Sequence, residues 1–589
     1  MGSMHRRAIA ALLACALAAC GGDEGAAEGS AGAPDVRNAL LVTLDTTRAD
    51  ALSLYGFPSP TTANVDALAA AGVTYDRCRA VAPITLPSHA SMLTGRYPLR
   101  HGVRANGTGR LSREAVTLAE RARDGGLETA AFVAAAVLDR RFGLDQGFDV
   151  YDQVERRDLE YSTVLASRTG AEVTDAALAW LSSRDPSRRF LLWVHYFDAH
   201  APYTPPERFL PVAGGHPYVA EVAAVDEQVG RLLEALRVSG ELARTAVVVV
   251  GDHGEDLGEH GEPTHAVYCY DSTLRVPLVV SHPHGERAGE RSNEVVSVAD
   301  VGPTLAEALG LAPLPDADGV SLWSRRVPDD RGVYFESYYG FLFYGWSPIA
   351  GWADARAKYV HGPTPEFYDL AADPGELRDL GSAAGERVAD YRAHIAALAA
   401  RPRLDGAALE GAEGADGDEA ELLESLAGLG YATGPGAGRR LPEPLEVSDR
   451  PAPAERLGEL HDLLDARRAE DEGRLEEAVE LLGGIVRANP LNTAALDALG
   501  ACLGRLERWP EALEVLQRLL ALDDSQPAVH INLAVAYEAT GRPDLALPHI
   551  RRGVAIDPRH RLGRISLARI LAELGYADEA AEVRASLER

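Results

Sequence analysis

Two aspartates each follow a run of apolar residues that is typical of a buried strand. Asp45 ends the run Leu-Val-Thr-Leu-Asp, and Asp252 follows Val-Val-Val-Val-Gly and precedes His253. A carboxylate at the end of a buried strand is costly unless it is paired or bound to a metal, although an isolated Asp there often only caps the next helix. Two such positions, one of them beside an imidazole, make a metal site as good an explanation as capping.

A third candidate is Thr85, which begins the segment Thr-Leu-Pro-Ser-His-Ala-Ser-Met-Leu-Thr-Gly. Pro87 and Ser88 favour a helix start, and Gly95 favours its end. At a helix N-terminus, the N–H groups and the helix dipole favour a deprotonated hydroxyl or a bound phosphoryl or sulfuryl oxygen. The alternative is that Thr85 simply caps the helix. Asn106 follows 21 residues after Thr85.

The elements that would position these residues alternate along the chain from residue 37. Short apolar runs predict strands at 38–44, 129–133, 190–197, 246–250 and 276–280. Helical patterns occur at 65–72, 114–123, 170–181, 218–238 and 303–309. This alternation is typical of an α/β fold with a mainly parallel sheet flanked by helices, in which ligands bind at the carboxyl ends of the strands. Residues 332–368 predict a smaller antiparallel unit.

The amino-terminal residues predict export and attachment to a membrane. A positive start at 5–7 precedes an apolar run, 8–19, that is too short to span a bilayer. The run ends Leu-Ala-Ala-Cys20, which resembles the lipobox of bacterial lipoproteins; a plain signal peptide is the alternative. We therefore expect a protein of the bacterial cell envelope, facing the periplasm or the surface, that contacts the membrane only through a lipidated Cys20.

The carboxy-terminal part predicts an all-α domain of tetratricopeptide repeats. Three sets of positions recur every 34 residues, namely Ala478, Ala512, Ala546 and Ala580, then Gly500, Ala534 and Ala568, then Pro490, Asp524 and Pro558. A 34-residue period with small residues where paired helices meet resembles these repeats, whereas an ordinary helical bundle imposes no long period. By analogy, the repeats predict a protein or peptide partner.

These patterns divide the chain into five parts. We predict a signal peptide at 1–20, a flexible tether at 21–36, the α/β domain at 37–400, a Gly- and Pro-rich linker at 401–454 and the repeats at 455–589.

The charge of the chain limits its partners. There are 58 Lys+Arg residues against 88 Asp+Glu residues, a formal net charge of −30, and Lys358 is the only lysine. Nucleic-acid binding depends on a basic surface that displaces counterions, so general binding of this kind is excluded. An anionic substrate must be held by a local site, by metals or by helix N-termini.

Residues 38 to about 380 resemble the sulfatase and nucleotide-phosphodiesterase branch of the alkaline phosphatase superfamily. The matching segments are Leu-Asp45-Thr-Thr-Arg-Ala-Asp, the Thr85 segment, Tyr196-Phe-Asp-Ala-His200-Ala-Pro-Tyr, Gly-Asp252-His253-Gly-Glu, Thr273-Leu-Arg-Val-Pro-Leu, Asp300-Val-Gly-Pro-Thr-Leu and Phe367-Tyr-Asp-Leu-Ala-Ala-Asp-Pro-Gly-Glu. They occur in the order that the family has, over about three-fifths of the chain. The resemblance implies the alkaline-phosphatase-like fold and hydrolysis of a phosphoric or sulfuric ester.

The chain departs from the sulfatase pattern at the nucleophile. Sulfatases of this family carry Cys or Ser, followed by x-Pro-Ser-Arg, and convert the first residue to formylglycine. This chain has Thr85 there, His89 in place of the arginine, and none of the lysines that the family places around sulfate. Because threonine has a β-methyl group, oxidation could not give an aldehyde. The pattern is closer to the phosphodiesterase members, which use an unmodified Thr alkoxide while an asparagine, here Asn106, holds a phosphoryl oxygen.

The resemblance implies one or two divalent metals. Asp45, Asp252 and His253 would hold one ion, with Thr85 as the fourth ligand. A metal bound to a hydroxyl lowers its pKa and makes it a nucleophile. Mixed carboxylate and imidazole ligands favour Zn²⁺ or Mn²⁺ over Ca²⁺.

Members of the family that cleave phosphate esters hold a second metal. The candidate ligands here are Asp198, His200 and His265, although those members use Asp-x-x-x-His and this chain has Asp198-x-His200. His200 could instead hydrogen-bond the substrate, and His265 could occupy the slot of a sulfatase lysine. Further candidates, each with a purely structural role as the alternative, are Arg96 for substrate binding, and His195 and His260; His89 and His101 are expected to be mainly structural.

The leading prediction is therefore a lipid-anchored metallohydrolase that cleaves a phosphate monoester or diester through Thr85. A first alternative is a sulfatase acting on a sulfated glycan or small molecule. A second is a scaffold or binding protein in which the repeats recruit a partner and the hydrolase domain is degenerate.

Overall fold

The computed structural model describes residues 36–107, 109–154, 167–324, 326–404, 441–524, 526–556 and 560–587. The predicted signal peptide with Cys20, nearly all of the tether, and linker residues 405–440 lie outside these ranges. None of the described helices combines the length and the apolar composition that crossing a bilayer requires.

An eight-stranded sheet forms the centre of the α/β part, in the order β4-β3-β5-β1-β6-β7-β2-β8. The strands are β1 (Asn38–Leu44), β2 (Gly72–Arg79), β3 (Glu128–Val133), β4 (Val150–Asp152), β5 (Phe190–Tyr196), β6 (Thr245–Gly251), β7 (Leu278–Ser281) and β8 (Glu290–Ser297). Only β7 is antiparallel to its neighbours β6 and β2, so the prediction of a mainly parallel sheet is confirmed.

Three strands of this sheet, β2, β4 and β8, do not follow from the apolar runs. In β2 and β8, polar residues interrupt the apolar ones, as in Thr-Tyr-Asp-Arg-Cys-Arg and Glu-Arg-Ser-Asn-Glu. The strand β8 lies at the edge of the sheet, where half of its residues need not be buried. A run-based prediction therefore finds the central strands and misses the outer ones.

Helices pack around the sheet. They are α1 (Ala63–Ala69), α2 (Thr85–Thr94), α3 (Pro98–His101), α4 (Leu118–Asp124), α5 (Gly170–Ser183), α6 (Pro217–Val238), α7 (Asp271–Leu274), α8 (Val301–Ala308), α9 (Tyr339–Phe343) and α10 (Glu386–Ala399). The helix predicted at 114–123 begins later, because Thr117 and Glu120 form a reciprocal cap in which each side chain accepts the backbone N–H of the other.

The predicted antiparallel unit is a four-stranded sheet. Its strands are β9 (Val333–Ser337), β10 (Ile349–Ala353), β11 (Ala357–His361) and β12 (Glu366–Asp369), paired in the order β12-β11-β10-β9. Lys358 is fully buried in β11, and its Nζ lies 3.1 Å from Asp271 Oδ1 and 2.9 Å from Glu376 Oε1. The only lysine of the chain is therefore a buried structural cation.

The register of the central strands brings the candidate acids to one edge of the sheet. β1 pairs in parallel with β5 on one side and with β6 on the other, and Leu44 is opposite both Tyr196 and Gly251. Asp45 follows β1 directly and Asp252 follows β6, so both carboxylates leave the sheet at its carboxyl edge. This is where ligands bind in parallel α/β sheets.

The carboxy-terminal helices form successive antiparallel pairs. They are α11 (Leu457–Asp471), α12 (Leu475–Ala488), α13 (Thr493–Arg505), α14 (Trp509–Leu522), α15 (Pro527–Ala539), α16 (Pro543–Ile556), α17 (Arg561–Glu573) and α18 (Ala577–Leu587). The alanines that recur every 34 residues are buried where these helices meet, as at Ala478 and Ala512. A Cβ on Gly500 would lie 2.7 Å from the Leu516 side chain, so the small residues are required by the close approach of helices.

The first repeat is attached to the α/β part through the buried carboxylate of Glu459, in α11. Its Oε1 accepts hydrogen bonds from Trp346 Nε1 at 3.1 Å, Asn489 Nδ2 at 2.6 Å and Asn492 Nδ2 at 2.8 Å. Trp346 belongs to the α/β part, and the two asparagines lie between α12 and α13. One carboxylate therefore connects both parts of the described chain.

Two further hydrogen bonds extend this contact. The His461 Nε2–H donates to the Gly261 carbonyl at 2.8 Å, and the Thr493 hydroxyl donates to the Phe343 carbonyl at 3.1 Å. Gly261 lies in the loop that follows His253 in the chain. The repeats therefore contact the loop that carries candidate site residues.

We expect Glu459→Ala to destabilise this contact by about 1–3 kcal/mol, because three buried N–H donors lose their acceptor. The measurement is urea-induced unfolding followed by tryptophan fluorescence, with hydrogen exchange of the backbone amides at the start of α13. Glu480→Ala removes an exposed glutamate from α12 and is the control, with an expected change within about 0.5 kcal/mol. Equal effects of the two substitutions would contradict the role of Glu459.

Candidate functional site

Four predicted residues converge at the carboxyl edge of the sheet. His253 Nε2 lies 3.3 Å from Thr85 Oγ1, 3.6 Å from Asp252 Oδ2 and 3.9 Å from Asp45 Oδ1. Asp45, Asp252 and His253 form a group whose ligand atoms all lie within 4.8 Å of one another. All four side chains are buried. The structure thus brings together the proposed nucleophile and the three proposed metal ligands.

Backbone donors orient the Asp252 carboxylate. Its Oδ1 accepts the Thr46 N–H at 3.1 Å and the His253 N–H at 2.7 Å. Thr46 has a φ of 48°, in the left-handed region that costs a β-branched residue energy, and such strain is common at functional sites. With Oδ1 held by two N–H groups, Oδ2 faces His253 and has no hydrogen-bond partner among the described residues.

The His253 ring is fixed in one tautomer. Its Nδ1 lies 3.0 Å from the Gly254 carbonyl, which can only accept, so Nδ1 carries the proton and Nε2 presents a lone pair to the cluster. Gly254 passes so close to the Ser272 carbonyl that a Cβ would lie 2.2 Å from that oxygen. Glycine is therefore required at this position of the Gly-Asp-His-Gly motif.

The chemistry of these atoms fits a divalent cation. Asp45 Oδ1 and Asp252 Oδ2 are buried oxygens with no hydrogen-bond partner among the described residues. Burial raises the pKa of Asp45 to about 8 and holds the pKa of Asp252 well above its usual value, where the Asp45 charge adds to the effect. Two buried carboxylates beside an imidazole lone pair are stable together when a cation neutralises them.

Thr85 is the first residue of α2, as predicted, and is fully buried. Asn106 lies beside it: Asn106 Oδ1 accepts the Leu86 N–H at 2.9 Å, and its Nδ2 is buried with no hydrogen-bond partner among the described residues. The amide is thus held by its oxygen and offers its N–H group. A donor in this position suits an anionic oxygen of a substrate.

His89, expected to be structural, forms a hydrogen bond within its own helix, α2. Its Nδ1–H donates to the Thr85 carbonyl at 2.8 Å, one helical turn earlier. His101 accepts the Val103 N–H at Nδ1, and its Nε2–H donates to Ser91 Oγ at 2.9 Å. These contacts engage both nitrogens of His101 but only Nδ1 of His89, whose Nε2 is buried with no hydrogen-bond partner among the described residues. The structural role of the two rings stays a prediction.

His195 contacts the other oxygen of Asp45. The His195 ring is fully buried, with Nε2 3.2 Å from Asp45 Oδ2. A second group of possible metal ligands, His89, His195 and Asp252, also lies within 4.8 Å. Both nitrogens of His195 are engaged, Nδ1 with the Ala134 N–H and Nε2 with Asp45, so the cluster with His253 fits a cation better.

Three imidazoles lie in series at this edge of the sheet. The His265 ring centroid is 4.5 Å from that of His253 and 5.0 Å from that of His200. The His200 Nδ1–H donates to the Ala201 carbonyl at 2.6 Å. The structure therefore brings His200 and His265 to the site, although they form no group of metal-ligand geometry with a third described residue.

Two residues that the sequence analysis did not single out, Glu255 and Tyr203, form a chain of contacts that leads to His265. Glu255 is fully buried; its Oε1 lies 3.0 Å from His265 Nδ1, and its Oε2 accepts the Tyr203 hydroxyl at 2.9 Å. Glu255 ends the Gly-Asp-His-Gly-Glu motif, and Tyr203 ends the motif that contains His200. Their positions in motifs of the family could have marked them as candidates. Their contact with each other depends on the tertiary structure.

Asp198, Arg96 and His260 are not brought to the cluster. Asp198 Oδ1 accepts the Gly170 N–H at 2.9 Å, so its carboxylate caps α5. Arg96 follows the far end of the ten-residue α2, about 15 Å along the helix from Thr85, and contacts the Pro315 carbonyl at 3.2 Å. His260 stacks on Tyr270 at 3.9 Å. In each case a partner elsewhere in the chain, which the sequence pattern does not reveal, holds the side chain.

Two family models match parts of this chain. Residues 37–311 match the family model described as Sulfatase, and residues 469–536 and 505–564 match the model described as Tetratricopeptide repeat. This chain carries a sulfatase domain followed by tetratricopeptide repeats. The predictions of the family, of the α/β fold with a repeat domain, and of the ester-hydrolase class are confirmed.

Individual relatives of the sulfatase domain cleave sulfate or phosphonate esters. The N-acetylglucosamine-6-O-sulfatase of Bacteroides thetaiotaomicron is 22% identical over 58% of this chain and 82% of that protein. The N-acetylgalactosamine-6-sulfatase of Homo sapiens is 28% identical, covering 61% and 84%. The structure of a phosphonate monoester hydrolase of Agrobacterium radiobacter is similar in fold, with a TM-score of 0.53 and 23% identity over 62% of this chain and 95% of that one.

The sulfatase family is metal-dependent, which agrees with the cluster at Asp45, Asp252 and His253. The choice of Zn²⁺ or Mn²⁺ and the presence of a second ion stay predictions.

We expect Asp252→Asn to raise the stability of the metal-free protein and to abolish its stabilisation by metal. The amide keeps an oxygen for the Thr46 and His253 N–H groups and removes a buried charge whose pKa is raised. In the wild type, Mn²⁺ at 100 times its dissociation constant stabilises the fold by about 2.7 kcal/mol. The measurement is the thermal midpoint with chelator and with Mn²⁺.

Asp226→Asn is the matched control for this substitution. Asp226 is also a buried carboxylate that accepts two backbone N–H groups, from Asn64 and Val65, but it lies on α6. We expect this variant to keep the full metal-induced shift. An Asp252→Asn variant that responds to Mn²⁺ like the wild type would remove Asp252 from the ligand set.

Proposed function

We propose that the sulfatase domain hydrolyses a phosphoric ester through a covalent intermediate on Thr85. The observation that carries this proposal is an unmodified alcohol, Thr85 Oγ1, placed 3.3 Å from His253 Nε2 within a cluster of buried carboxylates. Formylglycine cannot arise at this position, since threonine has a β-methyl group. An alcohol nucleophile suits attack on phosphorus.

The residues then act in two steps. A divalent cation held by Asp45, Asp252 and His253 would supply the Lewis acidity that lowers the pKa of the Thr85 hydroxyl. In the first step, Thr85 Oγ1 forms a bond to phosphorus while the bond from phosphorus to the leaving oxygen breaks, and the leaving alcohol takes up a proton. In the second step, water attacks the phosphorus bound to Thr85 and the bond from phosphorus to Thr85 Oγ1 breaks. A phosphate monoester leaves if the substrate is a diester, or phosphate if it is a monoester, and a proton from the water restores the Thr85 hydroxyl.

The donors beside Thr85 are neutral. Asn106 offers a buried amide N–H, whereas at the start of α2 the Leu86 and Ser88 N–H groups already donate to Asn106 Oδ1 and to the Ile84 carbonyl. The nearby arginines are engaged with acids: Arg48 Nη2 lies 2.7 Å from Asp50, and Arg104 Nε donates to Glu336 at 2.6 Å. A site with few cations favours a singly charged phosphodiester over a doubly charged phosphate monoester.

Sulfuric esters are the second candidate substrate. The family match favours it, and so do the relatives from Bacteroides thetaiotaomicron and Homo sapiens, which are sulfatases. A sulfate monoester is also singly charged, so the charge argument alone accommodates both. The unmodified threonine supports the phosphoric ester.

We expect Thr85→Ala to lower kcat by about 10⁴-fold or more on the preferred ester, because the nucleophile is lost. Thr85→Ser, which keeps the hydroxyl, is expected to retain activity. Thr94→Ala is the control on the same helix, since the Thr94 hydroxyl bonds only to backbone groups: it donates to the Ala90 carbonyl and accepts the Arg96 N–H. The substrates are bis-aryl phosphate, aryl phosphate and aryl sulfate, each with metal and with chelator.

The pattern of activities decides between the candidates. Activity on bis-aryl phosphate that requires metal and Thr85 would support the proposal, and detection of an aryl phosphate group on Thr85 by mass spectrometry would identify the intermediate. Hydrolysis of aryl sulfate alone would establish the sulfuric ester instead. A chain that binds metal but cleaves none of the three esters would favour the scaffold alternative.

We also propose that the protein is attached to the cell envelope through Cys20. The support is the Leu-Ala-Ala-Cys sequence after a short apolar run. We expect Cys20→Ala to abolish incorporation of labelled fatty acid and to release the protein from the membrane fraction. Labelling that persists in the variant would contradict this proposal.

The repeats are proposed to bind a protein or peptide partner. This rests on the tetratricopeptide-repeat match and on the way such arrays present their helices.

A further inference from the structure

His195, the next-to-last residue of β5, lies beside Asp45, one of the proposed metal ligands. His195 is opposite Thr43 in the parallel pairing of β5 with β1, and side chains two residues apart on a strand share a face. Trp193 and His195 therefore face Thr43 and Asp45. The Trp193 Nε1–H donates to Thr43 Oγ1 at 2.9 Å, and His195 Nε2 lies 3.2 Å from Asp45 Oδ2.

The backbone fixes which nitrogen of His195 carries the proton. The Ala134 N–H, at the end of β3, points to His195 Nδ1 at 3.3 Å. An N–H can only donate, so Nδ1 accepts, and the single proton of the neutral ring is on Nε2. His195 Nε2–H therefore donates to Asp45 Oδ2.

This hydrogen bond divides the two oxygens of Asp45 between two tasks. Oδ2 is bound to His195, and Oδ1 has no hydrogen-bond partner among the described residues and lies 3.9 Å from His253 Nε2. Both side chains are buried, at 0% exposure for His195 and 1% for Asp45. With no water to compete, one donor is enough to set the orientation of the carboxylate.

We propose that His195 is a positioning residue that presents Asp45 Oδ1 to the cation. The proposal rests on the metal assignment in the proposed function. His195 does not touch the substrate or the cation; it acts through Asp45. Hydrogen bonds of this kind to metal ligands commonly tune metal affinity by about 10–100-fold.

The test compares metal binding by full-length variants in which the donor is removed or restored. His195→Phe keeps the volume of the ring and removes the N–H, and His195→Gln can place an amide N–H near the Nε2 position. Trp193→Phe is the matched control, because it removes the neighbouring hydrogen bond on the same strand face without touching a metal ligand. The readouts are the dissociation constant for Mn²⁺ and for Zn²⁺ by competition with a chromogenic chelator, and the metal content per chain.

We expect His195→Phe to weaken metal binding by about 10–100-fold, His195→Gln to recover most of that affinity, and Trp193→Phe to leave it unchanged. Metal content at saturation stays at the wild-type value in each variant. Wild-type affinity in His195→Phe would overturn the proposal. Loss of one ion per chain in both His195 variants would also overturn it, because His195 would then be a ligand.

A second comparison covers the case in which His195→Phe does not fold. His195→Asn keeps a polar side chain too short to reach Asp45 Oδ2, so we expect weaker metal binding than in His195→Gln. Equal affinities of the two amide variants would overturn the proposal. A wild-type chain that binds neither metal would overturn the metal assignment itself, whereas tight wild-type binding that ignores His195 overturns this proposal alone.

Discussion

Two carboxylates buried side by side at the ends of neighbouring parallel strands impose the main constraint on this structure. Asp45 and Asp252 each direct one oxygen toward His253 Nε2, and neither of those oxygens has a hydrogen-bond partner among the described residues. Burial raises the pKa of both groups. Such an arrangement costs stability unless a cation compensates it, so the fold around it is organised to hold an ion rather than to minimise energy without one.

The surrounding protein meets this constraint by fixing several neighbouring polar atoms through hydrogen bonds. Backbone N–H groups hold Asp252 Oδ1, the Gly254 carbonyl holds His253 Nδ1, and the Thr85 carbonyl holds His89 Nδ1. Each imidazole therefore presents one defined nitrogen. The strained φ of Thr46 accompanies one of these contacts, because the Thr46 N–H donates to Asp252 Oδ1.

The repeats contact the α/β part near the loop that follows His253. Glu459 connects Trp346 with the loop between α12 and α13, and His461 donates to Gly261 in the loop that follows His253. The 34-residue period was readable because each repeat uses small residues at the same helix contacts. The sequence did not predict the contact made by Glu459, because no pattern distinguishes this glutamate from an exposed one in a helix.

The sequence by itself determined the central strands and the repeat period, and it singled out Asp45, Thr85, Asp252 and His253, which the structure brings together. The local signals were apolar runs that end in an acid and a helix that begins at Thr85 and ends at Gly95. The ends of such elements meet at the carboxyl edge of a parallel sheet. Asp198 and Arg96 carried similar chemistry, and only the tertiary structure showed that a helix N-terminus and a distant carbonyl hold them.

The partners of these residues were decided by tertiary structure alone. Glu255 reaches His265, and His195 reaches Asp45 from a neighbouring strand, at separations of 10 and 150 residues. A hydrogen bond forms only when the donor–acceptor distance is right to within a few tenths of an ångström. The order of residues along a chain specifies which groups exist, whereas strand register and side-chain packing set those distances.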